Sequence, residues 1–320
     1  SITGVGFQPD WVWLRGRSAT SNHYIYDSVR GDNLFLQTNK TNADGNSTTS
    51  SAGGIGSQAS DGFTIVAGTS NTDNVNTSGT TYVAWNWLTG GTASSNTDGS
   101  ITSNVSVNTT AGFSIVSWTG TNTTGSVGHG LNQAPEFYIN KSRTDATLDW
   151  IVASTVIDGS MDYSRLNTTN AWATYGVSLP TSSVFNVSSG AGNSGDMIAY
   201  CFHSVKGFSK FGTYTGNGNA DGTFVYTGFK PAMVIVKQSN TSRNWLILDN
   251  KRNEFNDVDK FLKANTNDAE GTTTLVDFVS NGFKCRTTDT GVNESSGTYI
   301  YMAFAENPFV TSGGITTTAR

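Results

Sequence analysis

Few residues of this 320-residue chain have the means to do chemistry: three histidines, two cysteines, an Asp-x-x-Arg pair that recurs after equivalent strands and a scatter of loop carboxylates. A histidine acts as a general base only with a nucleophile in reach and a third group to orient it. His23, His129 and His203 have no serine or cysteine beside them at a spacing that suggests such a triad. Asp27 and Arg30 form an Asp-x-x-Arg pair that reappears as Asp249 and Arg252. A general acid has no need of the arginine, whereas an ion pair tying the turn after a strand uses both. These four are therefore read as structural ion pairs. Carboxylates in Asn71-Thr72-Asp73-Asn74, Asp158-Gly159-Ser160-Met161-Asp162 and Asn219-Ala220-Asp221-Gly222 sit in oxygen-rich loops of the kind that hold calcium. None follows the twelve-residue EF-hand spacing, and Asx-turns account for them with fewer assumptions. No cofactor is expected, and calcium is the one ion such loops would take. Cys201 and Cys285 are too few for a disulfide framework and lack neighbours for zinc, so they read as small buried apolar residues. Trp172 and Tyr175 would stack on a sugar ring if exposed; packing in a core or between domains asks less of them.

The elements that must position these residues are written three times. A glycine–apolar–x–proline start leads into an apolar strand at Gly6-Phe7-Gln8-Pro9-Asp10-Trp11-Val12-Trp13 and again at Gly228–Val236; a looser version runs from Gly130 through Pro135 to Ile139. About seventy residues later each copy closes on an alternating strand, in 79–85, 195–201 and 297–304. Runs of four to eight residues rich in Val, Ile, Thr and aromatics, with turns of Gly, Asn, Ser and Thr between them, read as all-β. Turn spacing of eight to twelve residues is that of a β-sandwich. The expectation is three tandem, jelly-roll-like β-sandwich domains: 1–90, 111–206 and 207–310, with a linker at 91–110 and a tail at 311–320. One or two helical turns are expected near Asn253–Lys263, where Phe255, Val258, Phe261 and Leu262 fall at helical spacing.

Laying the copies against one another narrows the chemistry further. His23 stands where the other copies have Trp150 and Trp245, which points to packing. His129 matches Thr227 as a turn residue, and His203 matches Ala305. Copy two has Ser154 at the aspartate position of the Asp-x-x-Arg pair and no arginine. A strand pair precedes the proline in copies two and three, but copy one begins at Ser1 without its leading strand. That leaves an edge for a segment of another subunit to pair with, the Ile315-Thr316-Thr317-Thr318 tail being a candidate. No signal peptide precedes Ser1, which reads as a processed chain or a piece of a larger one.

Composition excludes some partners. Charged residues are 13%, against about 25% in an average globular protein. The net charge is −5, and no Lys/Arg cluster exists to neutralise phosphates, so nucleic acid is not a partner. No run of about 18 apolar residues exists to insert into a membrane. A surface of short uncharged polar side chains suits a virion or extracellular protein.

The openings at Gly6–Trp13 and Gly228–Val236, the Phe-Ser-Lys-Phe-Gly-Thr-Tyr-Thr-Gly-Asn-Gly run at 208–218 and the closing run from Tyr299 to Phe309 carry a resemblance. Over about residues 2–310 the chain resembles a repeated all-β domain family found in structural proteins of tailed, often marine, bacteriophages, labelled tail fibres or virion appendages. The resemblance implies a virion location and no enzymatic activity, and it supplies no functional residues. Copy two departs from it at the proline, two residues late, and in lacking the Asp-x-x-Arg pair. The expected function is a non-enzymatic virion structural protein: a tail fibre, appendage or capsid decoration acting by assembly and surface presentation, with host attachment as an extension. Its partners would be other virion proteins, further copies of itself and a host surface glycan. A carbohydrate-binding adhesin or lectin-like module is the alternative, and a glycan-degrading enzyme would need paired carboxylates in a groove.

Overall fold

Alternation along the opening strands shows how this chain is built. In copy one the strand Trp11–Gly16 is buried at every position, which a strand with one wet face never is. Trp11 and Trp13 enter one core and Val12 and Leu14 enter another. The same division holds in Phe137–Ser142, where Phe137 and Ile139 separate from Tyr138, and in Pro231–Gln238, where Met233 and Ile235 separate from Val234 and Val236. Successive side chains of a strand point to opposite faces, so each of these sheets is packed on both.

The computed structural model describes residues 1–51, 53–69, 75–189 and 192–306, and every regular element among them is a β-strand. Each copy contributes one main antiparallel sheet with the same order. In copy one it runs Gly45–Asn46, Leu34–Gln37, His23–Asp27, Trp11–Gly16, Tyr82–Trp87. In copy two it runs Ala173–Thr174, Asp162–Arg165, Ile151–Ser154, Phe137–Ser142, Asp196–Phe202, and continues into Phe113–Thr119, Ser103–Asn108 and Ser94–Asn96. Copy three has Gly271–Val279, Val258–Lys263, Leu246–Asp249, Pro231–Gln238, Thr298–Ala305 and then Ser209–Thr215. A smaller layer covers the outer face of each: Ile2–Thr3 with Gly62–Val66 and Gly54–Ala59, Gly125–Gly128 with Val184–Val187, and Phe224–Tyr226 with Gly282–Cys285. In copy three the nine-residue strand Gly271–Val279 pairs with both layers, so one eight-stranded sheet curls towards a barrel.

Between each main sheet and its small layer lies a core private to that copy. The inner faces of all three main sheets meet in a fourth core that belongs to none of them. Trp87, Phe202 and Phe304 hold one ladder position near the ends of the three closing strands and meet there: Phe304 lies 5.6 Å from Trp87 and 6.2 Å from Phe202, and Trp11 lies 4.3 Å from Trp87 and 5.9 Å from Phe202. The copies are thus gathered about shared apolar surface rather than strung along a line.

Several local expectations change. Residues 253–263 form no helical turn: Val258–Lys263 is a strand in which Leu262 enters the shared core and Val258 the private one, while Phe255 is 82% exposed. Adjacent Phe261 and Leu262 therefore face opposite ways, which a helix would not allow. The segment read as a linker contributes Ser94–Asn96 and Ser103–Asn108 to the sheet of copy two, because Ile101 and Val105 have a core to enter. The prolines are in register after all, since Trp11, Phe137 and Met233 each follow two residues after Pro9, Pro135 and Pro231 and occupy the same ladder position. The extra residues of copy two lie in the loop before Pro135. Finally, Tyr82–Trp87 is the end strand of its sheet, where the equivalent strands of copies two and three are covered by Phe113–Thr119 and Ser209–Thr215. The Ile315–Thr318 segment lies outside the described residues.

Candidate functional site

Ladder register makes Asp27, Ser154 and Asp249 equivalent, and this position lies at each junction between copies. At the junction of copies one and two, Arg30 Nε donates to Asp27 at 2.5 Å, Arg30 Nη1 to Asp44 at 2.8 Å, and Arg143 of copy two to Asp44 at 2.8 Å. Tyr200 of copy two donates its hydroxyl to Asp27 at 2.7 Å. At the junction of copies three and one, Arg252 donates to Asp249 at 2.6 Å and to Glu270 at 3.0 Å, and Arg17 of copy one forks onto Glu270 with two bonds of 2.9 Å. Here Trp85 of copy one donates its indole N–H to Asp249 at 3.0 Å, and its ring lies under Arg252. Burial weakens the charge on Arg30, but Asp27, Tyr200 and Asp44 outweigh it and raise the guanidinium pKa. Burial likewise pushes the Glu270 carboxyl up, and the bonds from Arg17 and Arg252 overcome that and hold it low. Both ion-pair assignments are thus found in place. What the sequence did not show is that each pair bonds to the next copy.

The third junction solves the same geometry without charge. Ser154, Ile157, Trp172, Ser239 and Met302 stand where the first junction has Asp27, Arg30, Asp44, Arg143 and Tyr200. All five polar partners are absent together, as they must be, because a carboxylate left buried without its arginine costs several kcal/mol. Trp172 is half-buried, 5.9 Å from Trp245 and 6.3 Å from Phe137. Tyr175 is buried against Tyr163 in the private core of copy two. Trp172 thus packs at the junction with copy three, and Tyr175 within copy two.

The ring nitrogens at the His23, Trp150 and Trp245 position form a cycle. Trp150 Nε1 donates to Gln37 O at 2.9 Å, Trp245 Nε1 to Arg165 O at 3.0 Å, and His23 Nε2 to Lys263 O at 2.9 Å. Each copy thus holds a carbonyl of another, two to one, three to two and one to three. His23 Nδ1 accepts from Trp13 at 2.9 Å, which fixes the Nε2–H tautomer. Burial and the nearby Arg15 push the His23 pKa well down. His129 bonds the Thr181 carbonyl and the Leu131 N–H in its turn, and His203 bonds the Ser204 carbonyl. Two further equivalents, Lys141 and Lys237, are fully buried and donate to carbonyls at their strand ends; burial pushes both down to about 8. Among the described residues no group of three or more His, Cys, Asp or Glu side chains is placed to hold a metal. Asp158 Oδ1 accepts from Ser160 in an Asx-turn, Asp221 pairs with Lys284, and Asp73 lies outside the described residues. Cys201 and Cys285 are buried free thiols, the latter pushed up to about 11 by burial.

A half-open cleft of about 210 Å³ lies on the outside of copy three. Leu246, Phe261 and Leu275 form its floor, and Arg243, Asn244 and Asp289 stand at its rim.

A family model described as a domain of unknown function, DUF7483, matches residues 1–308, all three copies together. The chain belongs to the DUF7483 family. No curated protein and no solved structure matches it. The DUF7483 match takes in all three copies and ends just beyond the closing strand of copy three.

Proposed function

We propose that this DUF7483 chain is a non-enzymatic structural protein of a tailed-phage virion, a fibre, appendage or capsid decoration, that works by assembly and surface presentation. The observation that carries the reading is the use made of its ionisable groups. The Asp-x-x-Arg pairs and His23 hold one copy to the next, and His129 and His203 hold turns. Three β-sandwich repeats closed about one core make a rigid body with loops facing outward, as suits a scaffold. The resemblance of its strand motifs to phage structural proteins supplies the setting, with other virion proteins and further copies of the chain as partners. Cryo-electron microscopy of purified particles tests it. A three-lobed density on a fibre or capsid is the expected result; absence of the chain from purified particles would sink the proposal.

A further inference from the structure

The cleft of copy three exists because two aromatic residues are missing from it. The positions of Tyr24, Ile151 and Leu246 are equivalent by ladder register, as are those of Phe35, Tyr163 and Phe261. In copy one the Tyr24 ring packs edge-on against Phe35 at 5.2 Å. In copy two Tyr175 lies 5.1 Å from Tyr163, reaching it from the strand position that Thr273 holds in copy three. Copy three has Leu246 in place of the first tyrosine and Thr273 in place of the second, so the side of Phe261 stays open. Phe261 is itself held firmly. It lies over Gly271, where a Cβ would come within 2.3 Å of the ring.

Polar groups around this opening have capacity to bond. Arg243 Nε is buried with no hydrogen-bond partner among the described residues, and its Nη2 approaches Glu294 no closer than 3.7 Å. Asp289 uses Oδ1 for the Gly291 N–H at 2.7 Å, and Asn244 uses its Oδ1 for Asn265 at 2.8 Å. Asp289 Oδ2 and the Asn244 NH2 make no hydrogen bond among the described residues, which leaves both for a ligand. An apolar floor, a carboxylate acceptor and two donor groups at the rim match a pyranose, which has a C–H face and a ring of hydroxyls. No unpaired excess of positive charge lines the cleft, since Lys263 is paired with Asp268 at 2.8 Å and Arg243 shares the lining with Asp289, so a neutral sugar fits better than an acidic one. At about 210 Å³ the space is below the roughly 300 Å³ at which pockets for drug-sized ligands begin, which suits one ring at the end of a glycan.

We infer that copy three carries a binding site for a single neutral sugar residue, with Phe261, Leu246 and Leu275 beneath the ring and Asp289, Arg243 and Asn244 on its hydroxyls. The inference goes beyond the structural reading and stands without a virion setting. Saturation-transfer NMR with glucose, galactose, mannose and N-acetylglucosamine tests it on the full chain. Transfer from at least one of them, with dissociation constants around the millimolar range, is the expected result. Thr273→Tyr and Leu246→Tyr, which restore the residues of the other copies, should abolish the signal while leaving the melting temperature within a few degrees. Asp289→Asn, at an exposed rim position, should weaken binding about tenfold and serves if either tyrosine variant misfolds. No transfer from any of the four sugars, or undiminished transfer in folded Thr273→Tyr, overturns the site. Binding of an acidic sugar alone overturns the ligand class.

Discussion

At the scale of single residues His23 is the one titratable member of the inter-copy cycle. Its pKa is held well below 6.5 in the folded protein and returns to that value on unfolding. Below pH 6.5 the unfolded chain therefore binds a proton that the folded one refuses. The stability His23 contributes is complete above pH 6.5 and is lost as pH falls beneath it. Melting followed between pH 7.5 and 5 should show stability dropping by up to about 1.4 kcal/mol per pH unit for each such histidine. His129, also shifted down by burial, adds to the slope, so His23→Gln should reduce it without removing it. An unchanged slope in that variant would show that His23 does not bear the load assigned to it. The role of His23 was half legible in the sequence. Its alignment with two tryptophans announced packing. The exchange of bulk that goes with it, Trp13 in the place that Ile139 and Ile235 hold in the other copies, became visible only once the ladders fixed the register.

Between elements, the junctions offer a comparison that the molecule has already made. Two are ionic and one is apolar on the same backbone geometry. Replacing Arg30 alone with Ile leaves Asp27 buried without its cation and Asp44 with Arg143 alone, and should cost about 3–5 kcal/mol in urea denaturation. Replacing the whole set together, as Asp27→Ser, Arg30→Ile, Asp44→Trp, Arg143→Ser and Tyr200→Met, reproduces the third junction. That variant should be more stable than Arg30→Ile despite four more changes; if it is less stable, the junctions are not interchangeable. Strand existence was readable from alternation, and the Asp-x-x-Arg pairs from recurrence. The partners of those pairs were not, because Tyr200 and Trp85 sit 173 and 164 residues away in sequence and carry no local signature. The supposed linker misled for a related reason: a Ser/Asn/Thr-rich strand looks like a loop until a neighbouring sheet offers it an edge. Tyr175, for which packing asked less than sugar stacking, lies in the private core of copy two against Tyr163.

For the whole molecule, the shared core predicts one unfolding event. Copy two excised at 111–206 would expose Phe137, Ile139, Val152, Ile198, Tyr200 and Phe202 on one face, far more contiguous apolar surface than a soluble unit carries. Tryptophan fluorescence and far-ultraviolet circular dichroism should therefore report the same midpoint on heating the full chain. Three resolved transitions would mean that the copies are independent after all. The fold class was legible in the sequence because strand periodicity is a local property. The convergence of the copies was not: inner-face residues such as Phe137 and outer-face residues such as Tyr138 are equally apolar, and only assembly shows which face meets a neighbour.

The bond from His23 to the Lys263 carbonyl spans 240 residues, so the ring of copies has no closing partner until copy three has been made. At about 5–20 residues per second a ribosome needs roughly 12–48 s to bridge that distance. Through that interval the nascent first copy holds the Trp85 indole without Asp249, its partner in copy three, and it becomes a finished surface only when copy three has been synthesised.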